Sequence, residues 1–104
     1  MILTTSDDVP GRRIIKTLGL VRGSTIRARS LGRNFIAALR ASVGGEIVEH
    51  TKMIAEAREQ ALDRMIAEAE KAGANAIVAV RFGTTETMKL AAEILVYGTA
   101  VVIE

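Results

Sequence analysis

Cysteine is absent from this chain of 104 residues. Disulfide bonds are therefore excluded, and so are metal sites built on thiolate ligands. One histidine, His50, leaves little for metal ligation or proton transfer. Nucleophilic catalysis needs a nucleophile, a base and an orienting group, and the sequence contains no such spaced set. We therefore do not predict an enzyme.

Aromatic residues are also scarce, at 3% of the chain: Phe35, Phe82 and Tyr97. The core must be aliphatic, and small aliphatic side chains bury little apolar area each. A domain of this size gains stability when a second copy covers a further face, so the composition favours self-association. The same scarcity removes the stacking platforms of most single-stranded nucleic-acid sites, and we do not expect nucleic acid as the main partner.

Long apolar runs are missing as well. No run reaches the about 18 residues that a membrane span requires. The first 13 residues lack the basic region and apolar segment of a signal peptide. No linker, repeat or low-complexity segment interrupts the chain. The sequence predicts a cytoplasmic protein with no membrane partner, folded as a single domain over residues 1–104.

The net charge of +2 conceals an asymmetry along the chain. Residues 1–43 carry eight basic and two acidic side chains, whereas residues 44–104 carry six basic and ten acidic ones. Two interpretations remain open. The arginine-rich N-terminal segment binds an anion or a nucleic acid, or it pairs with the acidic helix within or between subunits.

The N-terminal third has the composition of strands. A short strand is predicted over 2–5 and a longer one over 13–28, where β-branched residues predominate. Gly19 and Gly23 interrupt the second strand, and we interpret them as a bulge and a bend.

Helical spacing takes over in the middle of the chain. A first helix is predicted over 31–43, and Gly44 and Gly45 end it. A strongly amphipathic helix of about 27 residues then starts near Glu46 and ends before Gly73, which suits a left-handed C-cap. Such a helix is long for a small domain and is expected to pack along a sheet.

Two strands close the chain, over 76–82 and 94–103. Both are apolar on both faces, so each needs cover on two sides, and another subunit is the natural second cover. The predicted fold class is α+β. It is a single compact β-β-α-α-β-β domain with the long helix packed on a mostly antiparallel sheet.

A divalent metal is the one cofactor for which the sequence offers candidate ligands. Glu46 and His50 are four positions apart, so they share a face of the predicted long helix, and Glu49 precedes the histidine. Ligands from one chain alone would not hold the ion tightly, and the site would form between subunits. The alternative is a solvent-exposed histidine near the start of an acidic helix.

Arginines in apolar surroundings are the other candidates. Arg58 falls on or near the apolar stripe of the long helix, where it would need a carboxylate or carbonyl partner. Arg81 lies in an apolar strand, with Glu93 available on the next one. Together with Arg33 these residues form either an anion site or ion pairs that fix strand register or a subunit interface.

Several motifs carry a family resemblance across nearly the whole chain: Gly44-Gly45-Glu46, Gly73-Ala74-Asn75-Ala76, Val80-Arg81-Phe82 and Tyr97-Gly98-Thr99-Ala100-Val101. In these the sequence resembles the YbjQ-like family, whose members are labelled putative heavy-metal-binding proteins and have no established activity. The resemblance implies a ring-forming domain with strands at both ends, assembled most often as a homopentamer.

Three functional hypotheses follow. The first is a non-enzymatic cytoplasmic homo-oligomer that binds a small ligand or a partner of unknown identity. The second is a metal-binding module with Glu46, Glu49 and His50 as ligands across subunit contacts. The third is an anion or nucleic-acid binder that uses the N-terminal arginines.

Overall fold

The structure, a computed structural model, describes residues 1–26, 45–88 and 91–104, with side chains over 1–25, 54–85 and 93–104. In these ranges the elements follow in the order β1 (Ile2–Leu3), β2 (Ile14–Ile26), α1 (Gly45–Lys71), β3 (Ala76–Met88) and β4 (Ala91–Ile103). The α+β class is confirmed. The helix predicted over 31–43 lies outside the described residues.

The four strands form one mixed sheet in the order β1-β3-β4-β2. The short β1 pairs with β3 in parallel, whereas β4 pairs with both β2 and β3 in antiparallel fashion. The molecule is elongated, measuring 54 × 21 × 17 Å, with a radius of gyration of 16.9 Å. A compact domain of this length has a radius of about 13 Å. The expectation of a compact shape is corrected, because the long strands extend the molecule along one axis.

Helix α1 matches the predicted length and ends as expected. Four side chains spaced four apart, Ala57, Ala61, Met65 and Ala69, are fully buried and face the sheet. The helix ends at a left-handed glycine, Gly73, with φ of 90°. The amide of Ala74 donates to the carbonyl of Ala69 at 3.0 Å, which completes the C-cap.

Gly23 lets the helix lie directly on β2. A Cβ at this position would stand 2.1 Å from the carbonyl oxygen of Ala61 and 2.6 Å from the amide nitrogen of Met65. The bend predicted here is therefore wrong, since β2 pairs regularly with β4 from Gly19 to Ile26. The bulge predicted at Gly19 is confirmed, because the register shifts between Thr17 and Gly19.

The sheet has two faces with different cover. The helix packs on one face, and the main core lies between them. The other face is called the outer face. Near the chain termini it carries a small second core of four buried residues, covered by the half-buried Val9 and Ile14: Ala76, Val78, Val101 and Ile103. At this end the second cover expected from another subunit comes from the chain itself.

Besides the outer side of the two-residue β1, two sheet edges are open in the part of the chain that the structure describes. One is the outer edge of β2, which pairs only with β4. The other is β3 beyond Val80, whose amide still donates to the carbonyl of Thr4 at 3.0 Å. Both edges are regular, over Gly19–Ile26 and over 81–86, so each has the geometry to accept a further strand.

Candidate functional site: an arginine–tyrosine row

Three side chains form a row across the outer face. Tyr97 in β4 is opposite Arg22 in β2 on one side and opposite Arg81 in β3 on the other. All three are exposed, Tyr97 to 40%. Neighbouring strands lie about 4.8 Å apart, so the two arginine Cα atoms are about 10 Å apart with the tyrosine between them. We call these residues the arginine–tyrosine row.

Alternation along β2 places Arg22 on this face. Its neighbours Val21 and Gly23 are buried on the helix side. Because successive side chains in a strand point to opposite faces, Arg22 points away from the helix. Within one chain, the interpretation that the basic strands face the acidic helix is therefore wrong for this residue, and pairing with the helix of another subunit stays a prediction.

A bulge in β3 places Arg81 on the same face. Val78 is opposite Thr99, but Arg81 is opposite Tyr97, so Ala79 and Val80 together face a single residue of β4. Val80 packs in the main core on the helix side. Without the extra residue, strand alternation would turn Arg81 towards the helix side instead.

Ala79 adopts an unusual backbone conformation to make this bulge. Its φ is 54°, in the left-handed region that alanine rarely occupies. Its amide donates to the carbonyl of Ser6 at 2.8 Å, and the following amide, of Val80, donates to Thr4. The segment after β1 therefore holds the bulge in place.

The guanidinium group of Arg81 is anchored by the backbone. Its Nη1 donates to the carbonyl of Thr5 at 2.8 Å and to the carbonyl of Val80 at 2.9 Å. Nε and Nη2 are not used in these bonds, and a guanidinium has five N–H donors. Arg81 can therefore donate further hydrogen bonds without leaving its position.

The ion pair expected between Arg81 and Glu93 does not form within the chain. Glu93 is opposite Thr85, four residues along β4 from Tyr97. This separation is about 13 Å along the strand, too far for direct contact. Their role at a subunit interface stays a prediction.

The other predicted arginines lie elsewhere. Arg58 is exposed on α1, between the half-buried Ile54 and Leu62 on the same helical row. Within one chain Arg58 is therefore accessible to water, and its role in an anion site or at a subunit interface stays a prediction. Arg33 lies outside the described residues.

The basic N-terminal segment makes its ion pair with the C-terminus. Arg13 donates to the carboxylate of Glu104 at 2.6 Å, and Arg12 Nε donates to the backbone carbonyl of Glu104 at 2.8 Å. The side chains of the ion pair are 74% and 56% exposed. Exposed pairs of this kind contribute roughly 0–1 kcal/mol to stability. The contact joins the two terminal segments and does not involve the arginine–tyrosine row.

The metal candidates fall in the first two turns of α1. The helix runs through Glu46, Glu49 and His50, so the predicted four-residue spacing lies on helical backbone. Their side chains lie outside the described residues. Within the described ranges no group of three His, Asp or Glu side chains could hold a metal ion. Met65, a soft donor, is fully buried in the core. The described donors do not fit a heavy-metal ion.

The sequence pointed to Arg81 but missed Arg22 and Tyr97 as its neighbours. The alternation of β2 placed Arg22 on one face, but which face meets the helix depends on packing. The register that joins these three residues depends on pairing across three strands, two of which are bulged, and on contacts between residues distant in the sequence.

A family model described as "Putative heavy-metal-binding" matches residues 1–104. The chain belongs to the YbjQ-like family. The resemblance stated from the motifs is thereby confirmed. The family description names a metal, but it names no reaction and no ligand residues.

Curated relatives of this YbjQ-like protein carry family names without an activity. A UPF0145 protein from Dehalococcoides mccartyi is 56% identical, with 100% of both chains covered. One from Methanosarcina acetivorans is 55% identical, with 97% of this chain and 95% of the relative covered. One from Thermus thermophilus is 50% identical over 100% of this chain and 91% of the relative.

A solved structure supports the fold. The crystal structure of a protein with unknown function, of the DUF74 family from Pediococcus pentosaceus, matches with a TM-score of 0.52 and 16% identity. The match covers 100% of this chain and 98% of that one. It bears on architecture alone. In the described part of this chain, no helix has both the length and the apolar content needed to cross a membrane.

Proposed function

We propose that this YbjQ-like protein is a non-enzymatic cytoplasmic binding protein that works as a homo-oligomer. The observation that carries the proposal is the pair of open, regular sheet edges on β2 and β3. Unpaired backbone N–H and C=O groups along a regular edge favour pairing with another strand. Self-association satisfies these groups without a foreign partner.

The positions of the edges favour a ring. They belong to different strands on opposite sides of the sheet, so edge pairing joins unlike surfaces of successive copies. Such head-to-tail contacts close into rings when the rotation allows it. Both strands run antiparallel to β4, so β2 of one copy and β3 of the next would pair in parallel. We predict five subunits, the number that the family resemblance implies.

The mass of the purified protein tests the assembly. Light scattering coupled to size-exclusion chromatography should give several times the chain mass of 11.1 kDa, and five times that mass for the predicted pentamer. A mass equal to one chain at micromolar concentration would reject the homo-oligomer.

Two neighbouring proline variants test the edge of β3. The amide groups of Thr84 and Thr85 point in opposite directions, one towards β4 and one towards the open edge. Proline removes an amide donor. We expect the variant that loses the amide facing β4 to lose cooperative unfolding, which circular dichroism follows. The variant that loses the amide at the open edge should stay folded, but its oligomer should dissociate. If both variants are folded and keep the oligomeric mass of the parent protein, this edge is not the interface.

The family description favours metal binding as a second candidate function. Glu46 and His50 share a helix face, and a site completed by a neighbouring subunit would use Glu49 as a further ligand. Titration with zinc, copper and nickel compares the parent with His50→Ala. Weaker binding in the variant supports the site, and identical binding curves would remove His50 from consideration.

A further inference from the structure

We infer that the arginine–tyrosine row, Arg22, Tyr97 and Arg81, binds the phosphate group of a small soluble molecule. The inference deepens the proposed binding function and rests on it, but not on the proposed assembly. All three side chains belong to one chain and lie on neighbouring strands of one sheet.

Charge is the first argument. The row holds two cations, and the residues in the adjacent rows are all neutral: Leu20, Val78 and Thr99 on one side, and Ser24, Gly83 and Leu95 on the other. Arg22 makes no hydrogen bond to a described acceptor, and neither arginine takes part in the salt bridge at the termini. Two cations in one row, neither of them paired with a described carboxylate, create a local positive potential that attracts anions.

The donors are the second argument. Arg81 keeps Nε and Nη2 for a ligand while its Nη1 is held by backbone carbonyls of Thr5 and Val80. Arg22 contributes a second guanidinium, and Tyr97, on the strand between the two arginines, contributes a hydroxyl. A phosphate has several acceptor oxygens, and arginine forks match their spacing in charge-assisted bonds.

Space beside the row is the third argument. Gly83 neighbours Leu95 in the next row, and a Cβ added at Gly83 would meet no atom within 4 Å. Ser24 is the small residue on the other side of Leu95. The organic part of a phosphate ester can lie over this low part of the surface while its phosphate contacts the row.

The bulge is an independent argument. The chain keeps Ala79 at a positive φ that favours glycine, and the consequence is that Arg81 stands beside Tyr97. Bulges that re-aim a side chain, and disfavoured backbone conformations, both concentrate at functional sites.

The positive charge is confined to a single row of side chains, which favours a compact anion as the ligand. Positive charge occupies one row, with Leu20 on one side and Leu95 on the other. An extended acidic segment from another protein would need cations along several rows. A single phosphate needs donors from one row only.

Tyrosine fluorescence gives a direct test. Tyr97 is the one tyrosine and the chain has no tryptophan, so emission excited at the tyrosine band reports on this row. The full chain is titrated with inorganic phosphate and separately with glycerol 3-phosphate, at constant ionic strength kept with chloride. We expect a saturable change in emission. Tighter binding of the ester identifies an esterified phosphate as the ligand class, and equal or tighter binding of inorganic phosphate identifies the free ion.

Matched variants locate the site. Arg22→Gln and Arg81→Gln should each weaken binding about tenfold, the effect of losing a charged hydrogen bond. Arg58→Gln removes the same charge from an exposed position on α1 and should leave affinity within about twofold. Ala79→Gly keeps the bulge with a residue that tolerates its φ, so binding should persist. Circular dichroism checks that each variant is folded.

Three results would overturn the inference. One is no saturable change with either ligand at millimolar concentrations. Another is equal weakening by Arg58→Gln, which would mean unspecific charge attraction. The third is a loss of oligomeric mass in the Arg22 or Arg81 variant without phosphate binding to the parent, which would assign the row to an acidic surface of another copy. The mass of the parent, measured separately, decides the proposed assembly whatever the titration gives.

Discussion

The two faces of the sheet differ in how tightly their side chains are packed, and therefore in which residues they can accept. On the helix face, four side chains of α1 are fully buried against β2 and β4, and three of them are alanine. On the outer face, the cover that the described residues provide is a small cluster near the termini, and Leu20 beyond it is 67% exposed. One face is constrained by packing, and the other is free to carry charge.

Close approach explains the difference. Alanines on α1 and Gly23 on β2 bring the helix backbone against the strand, so little volume remains for larger side chains. In the described part of the chain, the outer face beyond the second core meets no such constraint. Two arginines and a tyrosine stand there side by side at no packing cost. The comparison teaches that stability and binding are carried by opposite sides of the same strands.

The largest effect that we expect tests the helix face. Met65→Ala should lower the free energy of unfolding by about 2–5 kcal/mol, because Met65 is fully buried and the substitution leaves a cavity. Urea denaturation followed by circular dichroism measures this at a fixed chain concentration, since assembly makes stability concentration-dependent. A loss below about 1 kcal/mol would mean that the helix face is loosely packed.

A matched pair of glycine variants sharpens the comparison within one sheet. Gly23→Ala should lower the free energy of unfolding by about 1–3 kcal/mol, because its Cβ would meet the backbone of Ala61 and Met65. Gly83→Ala places the same methyl group in open space and should raise stability by roughly 0.5 kcal/mol. Equal effects would contradict the placement of α1 on β2. The same denaturation experiment measures both variants.

The smallest effect tests the outer face. Leu20→Ser should change the free energy of unfolding by about 0.5 kcal/mol or less if Leu20 stays exposed. Denaturation and light scattering on the same sample separate folding from assembly. If the free energy of unfolding falls by more than about 1 kcal/mol and the oligomeric mass also falls, Leu20 is covered by a neighbouring copy. The outer face would then be constrained by packing as well.

Much of the fold could be predicted from residue patterns. The apolar spacing of α1 and the glycine at position 73 gave its length and its end, because a helix buries a stripe set by its own period. The β-rich runs gave the positions of the strands but not their full length, since β3 runs on to Met88 and β4 begins at Ala91. The shape could not be predicted, since strand length says nothing of how far a sheet extends beyond its helix.

The candidate site could be predicted only in part. Arg81 was noticeable as a charge in an apolar strand, but its expected partner, Glu93, lies four residues too far along β4. Tyr97 and Arg22 join it through strand register and through the bulge at Ala79. These depend on contacts between residues that are distant in the sequence.

By itself, the sequence determined the α+β class, the length and C-cap of α1, the family and the exclusion of thiolate chemistry, because each depends on composition, local period or motif. The tertiary structure alone decided which face of each strand meets the helix, why Gly23 must be glycine, and which three side chains share a row. Side-chain period along a strand is two residues, so one bulged residue turns every later side chain to the opposite face. In β3 that residue decides whether Arg81 faces the core or solvent.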